Sequence, residues 1–551
     1  MEKLNQTPTI HDKFPTIRDP KSTQAWLVGS GIASLAAAVH LIRDAQVPGY
    51  NIHILDRHSR TGGGITSSGD AESGFILHPG SLPYFHDECV ENLLSLVPGA
   101  RGSDKSLLDT MRDFELSEAR PPGNTAKTRF LRNKGEMCER SAANCLSIGS
   151  YNRLQLVKVL LESEDTLGRN RIQDYFGDEF FGSDFWFLWS TTFALRPWHS
   201  AIEFQRCLRK HLPDIHSLNN VKTLDRTRYT LYESILLPIS AYLRSEGVNF
   251  HFNAKVIDVR MNLDDDLEGE PTLVSEILLL EYDEEQTVNL NPSDIIIITI
   301  GSPNSGFRLG TNFDPPAHPS DPNDLTYDDW SLWFHLAQKS TKFGAPLNFN
   351  SHIPESTLVT FTMTFHDSHF MHLYQVLTHD VPGSGALLSF PDSNWLLSIS
   401  VPHQPVCSNQ PPHTHVIWGY GLRPEKRGNV VDKPMTECSG EEIMRELLSH
   451  LNFPVQILLS KTMTIPCLLP LATAALLPRY PKDRPEVIPP NTTNIALTGQ
   501  FTEIPRDTTF NMEYSVRGAQ AAVYALMGLQ KSLPEIQRSL LVDVFDLLAE
   551  G

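Results

Sequence analysis

The chain has 551 residues, of which 40% are hydrophobic and 20% are charged, and its net charge is −19 at pH 7. This length exceeds the roughly 250 to 300 residues that one hydrophobic core supports, so we expect two or more subdomains. The acidic balance argues against nucleic-acid binding, because phosphates repel carboxylates, and no apolar run, including the isoleucine-rich residues 295–300, is long enough to cross a bilayer.

Residues 1–22 form a polar, proline-bearing stretch that we predict to be a flexible leader. This stretch lacks the apolar segment and cleavage site of a secretory signal, so we expect a cytoplasmic protein. The seven cysteines include no CxxC pair, which favours buried free thiols over disulfides or a zinc site. We therefore predict no metal centre.

Four apolar stretches, separated by long segments, have the pattern of strands in one parallel sheet. Their sequences are QAWLVGS, NIHILDR, DIIIITIGS and NIALTGQF. A segment with the pattern of a helix follows the first and the last of them. We therefore predict an α/β fold whose split Rossmann-like domain comprises residues 23–75, 226–302 and 486–530.

The segments between these parts, residues 76–225 and 303–485, are predicted to form an inserted mixed α+β substrate domain. The first contains aromatic-rich helical text, SDFWFLWSTTFALRPWHSAIEFQRCLRKHL, and the second alternates like antiparallel strands in LVTFTMTFHD and NWLLSISV. Helical spacing of apolar residues predicts an amphipathic helix over residues 531–551. This helix either packs on the body or serves as a lid or membrane-facing element.

The glycine turn at residues 29–31 lies between the first strand and the first helix, where backbone N–H groups and the helix dipole can hold a pyrophosphate. Asp56 ends the second strand and can take ribose hydroxyls. The glycines at 62–64 follow, an arrangement typical of flavin sites. FAD is thus predicted, with a merely structural turn as the alternative. The residues assigned to the cofactor are Gly29, Gly31, Ala33, Ser34, Asp56, Arg57, Gly62, Gly63, Gly64, Gly80 and Ser302.

Long, ordered stretches of the sequence resemble the oleate hydratase family, also called myosin-cross-reactive antigens. They include WLVGSGIASLAAAVHLIRDA, TTFALRPWHSAIEF, VIWGYGL, LLPRYPKDRP and GQFTEIPRDTTFNMEYSVRGAQAAVYAL, and the resemblance spans nearly the whole chain. It implies bound FAD that Glu503, Pro505 and Phe510 help to enclose, a homodimer, and transient membrane contact. It also implies that the flavin shapes and polarises a pocket, because alkene hydration transfers no net electrons.

The sequence departs from this family where the family's chemistry resides. The family has a loop whose glutamate activates water, but HPGSLPYFHDE places Leu82 at the glutamate and His78 at the first arginine of the loop. The family's tyrosine, the usual proton donor, corresponds to Cys207. Leucine can neither take nor give a proton, so ordinary oleate hydration is not expected.

The groups that anchor a fatty-acid carboxylate in the family are also changed. A carboxylate-binding glutamine corresponds to Leu231, and the anchoring loop corresponds to Thr378, Asp380 and Ser384. An aspartate there repels a carboxylate by roughly 1–4 kcal/mol at partly solvated separations. We therefore assign these positions to a pocket for a different substrate.

Three residues, His78, Tyr84 and Asp380, are the candidate catalytic groups. His78 is either a solvent-facing loop residue or a proton donor or flavin contact. Asp380 is either a solvated loop residue or a group that binds a polar substrate atom or acts as a base. Cys207 is either an inert space-filler or a nucleophile.

The family's catalytic and anchoring residues are replaced in this sequence, whereas its cofactor-binding motifs are kept. This combination predicts a FAD-dependent, non-redox enzyme that remodels a carbon–carbon double bond by isomerisation, hydration or cyclisation. The predicted substrate is apolar and other than a free fatty acid, such as a polyketide, polyene or terpenoid intermediate. The alternatives are a fatty acid hydratase or isomerase with relocated catalytic residues, a flavin oxidoreductase, and a non-catalytic relative that binds FAD or lipid.

Overall fold

The computed structural model describes residues 17–78, 87–99, 104–117, 128–134, 137–141, 148–212, 227–262, 271–317, 329–383, 387–509 and 511–536. The strands among these residues are β1 (Ala25–Val28), β2 (Ile52–Asp56), β3 (Ser67–Asp70), β4 (Gly74–Leu77), β5 (Phe130–Lys134), β6 (Met137–Ser141), β7 (Asn249–Phe252), β8 (Ala254–Met261), β9 (Val274–Glu281), β10 (Glu284–Asn289), β11 (Ile295–Thr299), β12 (Arg308–Leu309), β13 (Leu358–Phe365), β14 (Leu387–Ser389), β15 (Leu397–Ser400), β16 (His415–Gly421), β17 (Thr462–Leu469) and β18 (Ile495–Thr498).

The α-helices are α1 (Ile32–Arg43), α2 (Glu88–Leu96), α3 (Leu107–Leu116), α4 (Ser150–Leu161), α5 (Glu164–Leu167), α6 (Asp178–Phe181), α7 (Asp184–Phe193), α8 (Ala201–His211), α9 (Leu237–Ser245), α10 (Ser331–Lys339), α11 (Leu347–Asn350), α12 (Ile353–Ser356), α13 (His369–Thr378), α14 (Gly440–Leu451), α15 (Val455–Leu459) and α16 (Met512–Met527). A π-helical turn covers Tyr232–Leu236, and 3-10 turns cover Gly49–Asn51, Ile172–Asp174, Thr341–Phe343, Met435–Glu437 and Ala474–Leu476.

A parallel sheet has the strand order β18-β11-β1-β2-β7. The interior strand β11 contains the isoleucine run, whose side chains are fully buried. Because side chains alternate between the two faces, Ile295 and Ile297 pack with α1 and α16, whereas Ile296 and Ile298 pack with β8 and β9. Burial on both faces explains why this strand is uniformly apolar.

The alanine-rich text of α1 has a packing role. Ala36, Ala37 and Ala38 are fully buried in the cluster that also contains the α16 residues. Their small side chains let α1 lie close to both the sheet and α16. This helix begins directly after the glycine turn, so its N-terminus is held rigidly at the edge of the sheet.

The other large sheet has the order β12-β17-β13-β16-β15-β14-β5-β6. Its pairs are antiparallel except that β14 and β5 are parallel, with Ser389 opposite Phe130. Strands β5 and β6 come from the first inserted segment and the remaining strands from the second. Both inserted segments therefore build one sheet.

Strand β13 is buried along its whole length but has two chemically different faces. Val359, Phe361 and Met363 pack into the cluster that contains α14. On the other face, the hydroxyl of Thr362 accepts a hydrogen bond from the Leu77 N–H at 3.0 Å. Thr364 accepts from the Phe75 N–H in the same way at 2.9 Å. The two threonine hydroxyls therefore accept hydrogen bonds from the buried N–H groups of β4, the strand that directly precedes residue 78.

The predicted α/β class and the Rossmann-like sheet are confirmed, because all four predicted strands pair in it. The aromatic-rich segment that was predicted to be helical, residues 183–212, contains α7 and α8. The segments predicted to be antiparallel strands contain β13 and β15. The meander of β8, β9 and β10 was not predicted. The domain boundaries stay predictions.

The two ends of the chain are partly described. Arg18, within the predicted leader, is buried and donates a hydrogen bond to the Thr493 carbonyl at 2.8 Å, so this part of the leader packs on the body. Residues 531–536 form no helix, and the rest of the predicted C-terminal helix lies outside the described residues. In the described ranges, no helix is both long and apolar enough to pass through a membrane.

We expect Thr364→Val to lower the free energy of unfolding by about 1–3 kcal/mol, because the buried Phe75 N–H loses its acceptor while the side-chain shape is kept. Urea denaturation measures this loss. Thr364→Ser, which keeps the hydroxyl, is the matched variant. If the valine and serine variants lose equal stability, the hydroxyl has no special role.

Candidate functional site

A cavity of about 730 Å³ is lined by residues of both large sheets. This volume lies in the range of small-molecule sites. Its wall runs from the glycine turn after β1 to side chains of β13 and β16. A groove at the parallel sheet and a chamber at the antiparallel sheet are therefore one continuous space.

The groove is built from two glycine turns that touch each other. Gly29 has φ +99°, a conformation that L side chains rarely adopt. A Cβ atom on Gly63 would lie only 3.0 Å from the Cα of Gly31, and the Gly62 N–H donates to the Ser30 carbonyl at 3.2 Å. This contact leaves backbone N–H groups and the N-terminus of α1 facing the groove, which suits a pyrophosphate.

Asp56 is buried at the end of β2 and lines the groove. Its Oδ2 accepts hydrogen bonds from the Ser30 N–H at 2.7 Å and the Ser30 hydroxyl at 2.6 Å, and its Oδ1 accepts from the His58 N–H at 2.7 Å. These three donors fix the carboxylate beside the turn. Its neighbour Arg57 pairs with Asp329 at 2.9 Å, and both line the same space.

Further groove residues were not predicted from the sequence. The Asn304 side chain donates to the Gly64 carbonyl at 2.8 Å, and the Gln500 side chain donates to the Thr509 carbonyl at 3.2 Å. The other newly found lining residues of this region include Lys255, Val256, Asn511, Met512 and Ser515. They come from segments far apart in the chain, so no local pattern marks them.

Glu503 and Pro505 do not line the cavity. The Glu503 carboxylate contacts Arg206 at 2.7 Å and Arg479 at 3.1 Å. Burial alone would raise the pKa of Glu503, but these guanidinium groups lower it below its usual range. This carboxylate thus anchors the 500–509 loop, whose other residues reach the groove.

His78 follows β4 and faces the cavity. Its ring lies edge-on to Phe307, with centroids 4.8 Å apart, and its Nδ1 has no hydrogen-bond partner among the described residues. Burial, together with the positive charge of Arg60, lowers the pKa of His78 to about 4. The solvent-facing alternative for His78 is wrong, and its imidazole is neutral at pH 7.

The chamber has a largely apolar wall. This part of the lining includes Phe193, Leu231, Leu358, Leu387, Val406 and Leu476. Arg129 also lines it and donates to the hydroxyls of Ser389 and Thr191, each at 2.7 Å. The Tyr420 hydroxyl donates to the Thr191 carbonyl, and burial raises the pKa of Tyr420 to about 12. The wall therefore combines apolar side chains with a few polar groups that are held by hydrogen bonds.

Three predicted residues lie in the protein body and do not line this cavity: Cys207, Thr378 and Asp380. Burial raises the pKa of the Cys207 thiol well above its usual value, which favours the space-filling role. Asp380 is buried, so the solvated-loop alternative is wrong, and its Oδ2 accepts from the Thr128 N–H at 3.1 Å. The Thr378 hydroxyl donates to the Tyr374 carbonyl of its own helix at 2.8 Å.

Of the remaining predicted residues, Ser34 packs α1 onto the sheet, with its hydroxyl 3.1 Å from that of Thr299. The predicted residues that the structure brings together around the cavity are Gly29, Gly31, Ala33, Asp56, Arg57, Gly62, Gly63, Gly64, His78, Leu231 and Ser302. Those that lie outside the described residues are Gly80, Leu82, Tyr84, Ser384 and Phe510.

The depressed pKa of His78 makes stability depend on pH. The unfolded chain, with an ordinary histidine pKa of about 6.5, binds this proton at a higher pH than the folded chain does. Stability is therefore lost as pH falls from about 6.5 to 4, by on the order of 2–3 kcal/mol for this residue.

Between pH 7 and pH 4.5, we expect the free energy of unfolding to fall less in His78→Gln than in the unaltered chain. Urea denaturation at both pH values measures this difference. The exposed His372→Gln is the control and should keep the original pH dependence. Equal pH dependence of the His78 variant and the unaltered chain would contradict a buried, neutral imidazole.

The sequence pattern of the MCRA family matches residues 22–524. An oleate hydratase of Streptococcus pyogenes serotype M49 (strain NZ131) is 31% identical over 540 residues, which cover 95% of this chain and 89% of that protein. A linoleate hydratase of Lactiplantibacillus plantarum is 29% identical over 548 residues, which cover 92% and 94%.

Two solved structures resemble the fold. Cyclohexylamine oxidase from Brevibacterium oxydans IH-35A has a TM-score of 0.52 at 12% identity, over 92% of this chain and 98% of that chain. A triple mutant of putrescine oxidase with redesigned cofactor binding has a TM-score of 0.52 at 12% identity, over 91% and 98%. At such low identity they show a shared fold alone.

Proposed function

Because the chain belongs to the MCRA family, we propose that it is a FAD-dependent, non-redox enzyme that remodels a carbon–carbon double bond by isomerisation, hydration or cyclisation. Its curated relatives are hydratases of oleate and linoleate, which places a lyase-type reaction first. The proposed substrate is apolar and other than a free fatty acid, such as a polyketide, polyene or terpenoid intermediate.

The groove supports FAD as the cofactor. The touching glycine turns at residues 29–31 and 62–64 leave room that side chains would fill, and the fixed Asp56 carboxylate is suited to ribose hydroxyls. Gln500 and Asn511 add polar side chains to the same space. When bound, FAD supplies a planar, polarisable ring that shapes the adjoining chamber.

The observation that carries the choice of substrate is the position of Leu231. Its side chain is 2% exposed and lies in the chamber wall, where the resemblance places a carboxylate-binding glutamine. Leucine offers no hydrogen bond to a carboxylate, and burying an unpaired charge against it is unfavourable. An apolar end of a neutral substrate suits this wall.

Of the candidate catalytic residues that the structure describes, His78 is the one that lines the cavity, so it is the candidate for proton transfer. With a pKa of about 4, roughly one imidazole in a thousand is protonated at pH 7, so the neutral ring acts first as an acceptor. It can take a proton from a carbon that a neighbouring electron-withdrawing group has acidified and return it to another carbon of the same conjugated system, which moves the double bond with no gain or loss of atoms. The apolar wall excludes bulk water from this exchange.

A second candidate function is hydration or isomerisation of a fatty acid with relocated catalytic residues. The 31% identity with an oleate hydratase favours it, and so does the presence of Arg129 and Arg228 in the cavity lining. Arg129 is 1% exposed, whereas Arg228 is exposed. A carboxylate at either guanidinium would restore fatty-acid binding at a new place.

The homodimer, the transient membrane contact and the cytoplasmic location stay proposals that rest on the resemblance and the sequence.

Asp56→Asn is expected to weaken FAD binding by about 10- to 100-fold, because hydrogen bonds from ribose hydroxyls to a charged group become bonds to a neutral amide. Flavin absorbance after equilibrium dialysis measures the affinity. Asp70→Asn, at the exposed end of β3, is the matched control. Unchanged affinity in Asp56→Asn would remove this carboxylate from the cofactor site.

Incubation of the FAD-loaded chain with oleate and linoleate should yield no hydroxy fatty acid at rates near those of the Streptococcus pyogenes oleate hydratase run in parallel. The compound that accumulates in a deletion strain, identified by untargeted metabolite comparison, should be turned over instead. His78→Ala should slow that turnover by about 10²- to 10⁴-fold if it moves the proton.

Each other outcome selects an alternative. Hydroxy fatty acid at ordinary rates supports the fatty acid hydratase and overturns the proposed substrate. Anaerobic bleaching of the flavin by the accumulating compound supports an oxidoreductase. Tight binding of that compound without any product supports a non-catalytic relative.

A further inference from the structure

Helix α4 has apolar side chains on two opposite faces. Its inner face packs in the cluster that contains α8 residues, through Leu156, Val159 and Leu160. Its outer face presents three large apolar side chains at helical spacing: Tyr151 (66% exposed), Leu154 (59%) and Leu161 (61%). A helix that is apolar all round is normally covered on both faces, and exposed apolar patches mark interaction sites. No described part of the chain covers the outer face of α4.

The outer face also carries one positive charge. Lys158 lies on the same side of the helix as Leu154 and Leu161, because residues three and four apart are neighbours on a helix. Its side chain is 58% exposed, and its Nζ lies 3.7 Å from the Glu162 carboxylate. A partner suited to this face combines an apolar stripe with carboxylates beside it.

Residues 537–551, which lie outside the described residues, have this composition. With the residue before them, they carry apolar side chains at helical spacing: Ile536, Leu540, Val544, Leu547 and Leu548. In a helix, the acidic side chains would follow one edge of this stripe: Asp543, Asp546 and Glu550. The α4 face of a second copy would instead bring another Lys158, so the C-terminal residues are the better match in charge.

A short series of contacts links the described end of the chain to α4. Arg517 donates to the Pro534 carbonyl at 2.6 Å and pairs with Asp507 at 3.1 Å. Asp507 also pairs with Lys210 of α8 at 3.3 Å, and α8 packs against α4. A helix of fifteen residues is about 22 Å long, against about 18 Å for the twelve residues of α4. Residues 537–551 are therefore long enough to cover α4.

We propose that residues 537–551 pack as a helix along the outer face of α4 in the same chain, with their acidic edge beside Lys158. This contact assigns the predicted C-terminal helix to the protein body, in place of a lid or membrane-facing element. The inference goes beyond the proposed function and does not depend on it.

Hydroxyl-radical footprinting of the FAD-loaded full chain compares two tyrosines of similar exposure in the described structure. Tyr151 is 66% exposed, and Tyr282, on the turn between β9 and β10, is 71% exposed. Tyr151 should be oxidised at least about threefold more slowly than Tyr282, because packing against a helix removes most of the accessible surface of a side chain.

Leu547→Asp places a charge in the apolar stripe of the C-terminal residues. It should raise the oxidation rate of Tyr151 to that of Tyr282 and leave thermal unfolding of the protein body unchanged. Ser539→Asp adds the same charge on the polar side of this segment and is the matched control, in which Tyr151 should stay protected. Lys158→Glu should also expose Tyr151, more so at low than at high salt, because salt screens the repulsion between like charges.

Four results would overturn the proposal. Tyr151 that is oxidised as fast as Tyr282 in the unaltered chain would show an uncovered face, and protection that survives Leu547→Asp would show a different cover. Protection that is lost on dilution would identify a second copy as the partner. Protection that appears only with phosphatidylcholine vesicles would identify a bilayer. The measurement uses no substrate, so its outcome is separate from the tests of the proposed function.

Discussion

The cavity depends on a buried cluster of charges that joins the inserted region to the cofactor half. Glu203 of α8 contacts Arg479 at 3.0 Å and Arg484 at 3.1 Å, and Glu503 contacts Arg206 at 2.7 Å and Arg479 at 3.1 Å. Removing one partner of such a buried cluster costs about 3–5 kcal/mol, because the charge left behind is uncompensated. The cluster therefore holds α8, the 479–484 segment and the 500–509 loop in one arrangement.

This arrangement lets the two ends of the cavity change independently. The groove is fixed by backbone contacts between glycine turns and by the Asp56 carboxylate, neither of which involves the chamber side chains. The chamber wall includes side chains on β13 and β16, whose backbone hydrogen bonds do not depend on what those side chains are. Leu231, which lies on neither strand, is also part of the wall and makes none of the contacts that fix the groove.

The sequence predicted the groove better than the chamber for a physical reason. Buried parallel strands and glycine turns have local patterns, so Ile295–Thr299 and Gly29 could be recognised from neighbouring residues alone. Asp380 was placed in the pocket from the resemblance, but its carboxylate is held by the Thr128 N–H, a contact between residues 252 positions apart.

A chamber of this composition can orient a substrate with very few polar groups. In an apolar wall, a hydrogen bond is not exchanged with water, so one fixed donor discriminates strongly between a ligand with an acceptor and one without. Arg129 is a donor in this wall whose guanidinium is held by the hydroxyls of Ser389 and Thr191, and His78 supplies a neutral ring elsewhere in the same cavity. For the proposed alkene substrate, the position of the double bond relative to the imidazole would then be set by chain length and shape.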